Sequence, residues 1–145
     1  MVYDNYFFKI AAPILNHPDF RKLKEIKHHT TTRYDHVLSV ALISYSIAKR
    51  FNLDKAAVIR GALLHDFFFE SSSGQSLWVQ FKNFRSHPNR AGSKALEIFN
   101  INKKEFDIIT KHMFPATFIL PLYKETWLVL FIDNLACIYE YVHQK

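Results

Sequence analysis

The chain has a single cysteine, three glycines and five prolines in 145 residues. One cysteine excludes a disulfide within the chain, and Cys137, set in an apolar run, reads as a small core residue. Scarce glycine and proline, with apolar residues recurring at helical rather than alternating spacing, point away from sheet architectures and toward an all-α domain. No stretch approaches the ~20 uninterrupted apolar residues of a membrane helix. Met1 to Ile10, interrupted by Asp4 and Lys9, does not read as a signal peptide, so a cytoplasmic protein without a membrane partner is expected. The core material is ample: 49% hydrophobic and 16% aromatic residues suffice for one compact domain over residues 1–145.

The formal charge of +6 steers anionic partners in general. Lys22, Lys24, Lys27, Lys103 and Lys104 fall on solvated helix faces, so a small anionic ligand is favoured over nucleic acid.

The spacing predicts a bundle of about six to seven helices. A first helix runs from about Tyr3 to Leu15 and ends at Asn16-His17-Pro18; a second, Asp19 to about Lys27, buries Phe20, Leu23 and Ile26. His28 to Thr32 breaks the pattern, and His28 reads as a loop cap or as a group supporting a site. The third helix, about Arg33 to Phe51, carries His36, Val40, Ile43 and Ile47 on one stripe. Asp54 caps a fourth helix that ends in Leu63-Leu64-His65-Asp66. Residues 67–85, with three phenylalanines and a serine run, read as a lid or rim loop. A further helix is expected to start at Ser86-His87-Pro88, with proline in its first turn. Asn102 caps a helix to about His112, Met113 to Tyr123 is an ordered loop, and a last helix over about Lys124 to His143 places Val129, Leu130, Asp133, Ala136 and Cys137 inward.

Polar groups behind apolar helix faces need partners once water is gone. Six such groups fall at the inner faces or mouths of five helices: His36, His65, Asp66, His87, His112 and Asp133. Imidazole and carboxylate without thiolate suit a divalent transition metal (Fe, Mn, Co, Ni or Zn) rather than a structural zinc knuckle; four donors can hold one ion and six can hold two. A two-metal site polarises a phosphoryl group and acidifies a water to the attacking hydroxide, which makes phosphoester hydrolysis the matching chemistry.

Arg33-Tyr34-Asp35-His36-Val37, then Arg60-Gly61-Ala62-Leu63-Leu64-His65-Asp66, then Asp133 resemble the HD-domain superfamily of metal-dependent phosphohydrolases over roughly His28 to Asp133. Ser86-His87-Pro88 and Lys111-His112-Met113 match the two extra histidines of members with two metals, such as the diadenosine tetraphosphate hydrolases and cyclic dinucleotide phosphodiesterases. Thr-Thr before the first histidine and Lys-His-Met near a proline are similar to a bacterial group of small HD-domain proteins. The resemblance implies that His36, His65, Asp66 and Asp133 hold a first ion, that His87 and His112 hold a second with Asp66 bridging, and that His65 and Asp66 form the catalytic centre. Many relatives carry a lysine three residues after the Asp; this chain has Phe69, and Glu70, Lys82, Arg85 or Lys111 are the substitutes at hand.

Candidate phosphate contacts are Arg33, Arg60, Lys82, Arg85 and Lys111, although a surface ion pair is the favoured role for each taken singly. Trp78, Phe81 and Phe84 are placed either to stack on a base or to anchor the lid. The leading expectation is a phosphohydrolase acting on a nucleotide or another small phosphoester. The alternative is a metal-containing module that binds a nucleotide or RNA with little turnover. Oligomeric state stays open.

Overall fold

The computed structural model describes residues 4–28, 30–69 and 76–143, with the backbone alone at 77, 79–81, 83 and 84. It is all-α. The helices are α1 (Asn5–Leu15), α2 (Pro18–Arg21), α3 (Arg33–Arg50), α4 (Lys55–Leu64), α5 (Leu77–Phe99), α6 (Lys103–Lys111) and α7 (Lys124–Val142), and a 3-10 turn spans Lys22–Glu25. The only sheet among the described residues is a two-stranded ribbon of β1 (Lys27–His28) and β2 (Thr31–Thr32), antiparallel, with Lys27 opposite Thr32 and His28 opposite Thr31. No helix among the described residues is long and apolar enough to cross a membrane.

Helix α4 is the centre of the packing and touches α1, α3, α5, α6 and α7. Its sequence explains the position: Ala57, Val58, Ile59, Gly61, Ala62, Leu63 and Leu64 are all buried, and a helix that is apolar round most of its circumference, with only Lys55 and Arg60 charged, belongs inside. Gly61 permits a close crossing with α6, where a Cβ would lie 2.8 Å from three side-chain atoms of Ile108.

Short polar side chains set the starts. The Asp4, Thr32, Asp54 and Asn102 side chains accept from Phe7, Asp35, Ala57 and Glu105 backbone N–H groups, and Glu105 answers Asn102 in a capping box. Asp54 and Asn102 thus cap as expected.

Two expectations are corrected. The second helix does not continue to Lys27: it tightens to a 3-10 turn after Arg21, and Ile26 is already extended, leading into β1. Nor does the rim loop reach residue 85. Helix α5 begins at Leu77 and runs through Pro88, so Ser86-His87-Pro88 is helix interior rather than helix start. Proline has a helical φ at either place; in the interior it also leaves the carbonyl four residues back without its N–H partner and crowds it with the ring.

Candidate metal centre

Two helices end in the same way at the core. His65 follows α4 and His112 follows α6, each as the C-cap. The last carbonyls of a helix lack intrahelical donors. Each histidine supplies one: the imidazole Nδ1 lies 2.6 Å from the Ala62 carbonyl oxygen and 2.7 Å from that of Ile109, respectively. With Nδ1–H donating there, the Nε2 lone pair of each ring is directed inward. His36 reaches the same place from the first turn of α3, with Nδ1 2.8 Å from Glu140 Oε1 on α7.

The inward atoms form two groups around Asp66. Its Oδ2 faces His65 Nε2 at 3.7 Å and His36 Nε2 at 4.0 Å, and Asp133 Oδ1 closes that side at 2.9 Å from His36 Nε2 and 3.3 Å from His65 Nε2. Asp66 Oδ1 faces the other way, 3.3 Å from His87 Nε2 and 3.6 Å from His112 Nε2, which are themselves 3.2 Å apart. The structure therefore brings all six predicted residues together, every one of them buried.

Charge and burial are in tension here. Burial alone would raise the Asp66 and Asp133 carboxyls, but His65, aided by His112 and His87 at Asp66 and by His36 at Asp133, holds both well below the usual carboxylate range. Burial opposes protonation of His36, yet its hydrogen bonds to Asp133 and Glu140 push it up to about 10. His65 is likewise raised, by Asp66 and Asp133 against burial. His112 is lowered, chiefly by burial. Two buried carboxylates thus draw protons onto the imidazoles between them, the position a divalent cation would take.

The residues present fit such a cation. The donors are imidazole nitrogen and carboxylate oxygen, the set that suits first-row divalent metals. His65, His112 and Asp133 form one compact donor group, as do His36, His65 and Asp66, and as do Asp66, His87 and His112. His65 Nε2 is fully buried and makes no hydrogen bond of good geometry, an orphan that a metal would satisfy. Cys137 stays a thiol, because burial and then the Asp133 charge push its pKa up; its Sγ lies 3.7 Å from Asp133 Oδ1.

The predicted phosphate contacts are scattered. Arg60 is engaged elsewhere: Nε donates to Glu105 Oε1 at 3.0 Å and Nη2 to the Phe99 carbonyl at 3.0 Å, so it ties α4 to the α5–α6 junction. Lys111 pairs with the buried Asp107 at 2.6 Å. Arg33 is a wall residue, donating to the Phe68 carbonyl at 2.6 Å with its guanidinium 3.9 Å above the Phe68 ring, which stacks on His87. Lys82 and Arg85 line an open groove of about 410 Å³ with Trp78, Ser86 and Asn89. Phe69, at the position where many relatives have lysine, packs on Phe67 and lies under Lys94 Nζ at 4.3 Å. Glu70 and the serine run lie outside the described residues, as do the Phe81 and Phe84 side chains.

One contributor was not anticipated. Glu140 lies on the same inner stripe of α7 as Asp133, seven residues further on, and that spacing is the signal that could have found it.

A family model described as HD domain matches residues 33–136, and the chain belongs to the HD domain family. Neither the curated proteins nor the solved structures gave a match. HD domains bind divalent metals and are in general metal-dependent hydrolases, in keeping with the buried His/Asp clusters of this chain.

Proposed function

We propose that the chain works as a single domain and as a metal-dependent phosphohydrolase that cleaves a nucleotide or another small phosphoester at a binuclear site. The observation that carries the reading is the placement of Asp66, whose Oδ2 faces His65 and His36 while its Oδ1 faces His87 and His112. In this reading His36, His65, Asp66 and Asp133 hold a first ion, and Asp66, His87 and His112 a second. Bound divalent ions would supply Lewis acidity toward phosphoryl oxygens and an acidified water. The protein's own part is orientation: Ala62, Ile109 and Glu140 fix three rings through Nδ1 so that Nε2 points inward. Arg33 and Phe68 form the wall behind His87, and Lys82 and Arg85 are the candidate cations for the anionic substrate.

A screen of nucleotides, dinucleoside polyphosphates and model esters, with Mn, Fe, Co and Ni supplied in turn, tests this. Turnover that disappears in His65→Ala and Asp66→Ala is expected. A second reading, a nucleotide- or RNA-binding module with little turnover, draws on Phe69 in place of lysine and on the commitment of Arg60 and Lys111 to Glu105 and Asp107. Silence across the screen with saturable nucleotide or RNA binding would favour it.

A further inference from the structure

Positions 28 and 140 lie outside the stretch matched by the family model, yet the fold brings both to the first donor group. The ribbon holds His28 against the start of α3, with Arg33 N–H donating to the Ile26 carbonyl at 2.8 Å. The Glu140 carboxylate spans two imidazoles: Oε1 is 2.8 Å from His36 Nδ1 and Oε2 is 2.9 Å from His28 Nδ1. The two rings stack with centroids 4.0 Å apart and planes 22° from parallel. Because both Nδ1 atoms face one carboxylate, both Nε2 atoms face the opposite way, and His28 Nε2 lies 3.8 Å and His36 Nε2 4.0 Å from the same oxygen, Asp66 Oδ2. His28 therefore repeats the orientation of a predicted ligand, down to its partner on Nδ1.

We infer that His28 is an additional ligand of the first ion and that Glu140 is the positioning carboxylate for both His28 and His36. The inference rests on the binuclear reading. It gives the first ion five protein donors, His28, His36, His65, Asp66 and Asp133, too many for a tetrahedral zinc site and suited to an ion that accepts six-coordination, such as Mn, Fe, Co or Ni.

Cobalt(II) titration of the metal-free protein, followed by visible absorption and calorimetry, tests it with His28→Phe, which keeps a ring to stack on His36 but has no donor, and with Glu140→Gln. Far-UV circular dichroism and the melting temperature of the metal-free forms confirm folding. The expected result is a 10–100-fold weaker first site in each variant, with more intense d–d bands in His28→Phe because the coordination number has dropped. A His28→Phe protein with wild-type affinity and spectrum overturns this inference alone. A wild type that takes up no cobalt overturns the binuclear reading with it.

The outer face of α7 carries an independent feature. Trp127, Phe131, Leu135, Ile138 and Val142 follow each other at helical spacing and are between 43% and 65% exposed. Tyr139 and Tyr141 flank them, and none of the exposed α7 residues from Trp127 to Val142 is charged, in a chain of net charge +6. At about 150–250 Å² per aromatic side chain, the 43–68% exposure of Trp127, Phe131, Tyr139 and Tyr141 leaves about 350–600 Å² before Leu135, Ile138 and Val142 are added, which takes the face past the about 300–600 Å² of a typical monomer's largest patch and toward the roughly 800 Å² that each partner gives a standard interface. We propose that it pairs with the same face of a second copy; an isologous contact free of lysine brings no like charges together. Light scattering after size exclusion should give twice the chain mass of 17.1 kDa for the wild type. Phe131→Lys/Ile138→Lys should give the single mass with cobalt uptake unchanged. A monomeric wild type at high micromolar concentration, or a variant that still pairs, overturns the proposal.

Discussion

Alanine at Gly61 should loosen the link between the two halves of the centre. The new Cβ would lie 2.8 Å from Ile108 Cβ, Cγ2 and Cδ1, about 1 Å inside the ~3.5–4.0 Å optimum for carbon contacts. Rotating the Ile108 side chain cannot clear all three, because its Cβ is fixed to the α6 backbone. Helix α6 must therefore move. Overpacking of this kind costs about 1–3 kcal/mol, against about 1 kcal/mol recovered from the better helix propensity of alanine. The net loss is about 1 kcal/mol, which for a chain of this size lowers the melting temperature by about 2–4 °C. Gly61 lies four residues before His65, and Ile108 four before His112, whose rings now sit 4.7 Å apart. The shift therefore reaches the metal-facing atoms, and weaker uptake of a second ion is expected. Urea unfolding and metal titration measure both effects. In an Ile108→Ala background the cost of Gly61→Ala should shrink, since two of the three obstructing atoms are gone. A Gly61→Ala protein as stable as the wild type, with unchanged metal uptake, would refute the reasoning.

Arg33→Met removes the bond to the Phe68 carbonyl and the cation over the Phe68 ring. It should cost about 1.5–3 kcal/mol in urea unfolding, the range for a hydrogen bond from a charged group, and weaken uptake at the His87 side through loss of the Phe68–His87 stack. Asp4 accepts from Phe7 N–H, Lys49 and Tyr45, which lower its pKa from 3.8 to about 2 against a smaller effect of burial. A depressed carboxyl stabilises the fold above its unfolded pKa and loses that contribution as pH falls through the folded value. Asp4→Asn should accordingly flatten the acid limb of stability between pH 3.8 and about 2 relative to wild type, as read from denaturation at a series of pH values.

The helices and the six clustered residues were legible because the same periodicity that buries apolar residues also fixes which polar ones face the core. His36 on the α3 stripe and Asp133 on the α7 stripe are read that way, and His65-Asp66 by its place at the end of an apolar helix. Pro88 misled, since a helix can carry proline in its interior at the loss of one hydrogen bond, and sequence alone does not separate that from a first-turn proline. Arg60 misled for another reason: a guanidinium near a candidate site looks like a phosphate contact, whereas Glu105 and the Phe99 carbonyl, brought together only by tertiary packing, claim it. The seven-residue spacing from Asp133 puts Glu140 on the inner stripe of α7, but its bonds to His28 and His36 span 112 and 104 residues, so no local pattern names its partners.

The central claim is that Asp66 joins two metal-binding halves. Elemental analysis of protein purified without chelator, wild type beside Asp66→Ala, tests it most directly. Two transition-metal ions per wild-type chain and their loss in a folded Asp66→Ala protein are predicted; full metal content in the variant would contradict the account.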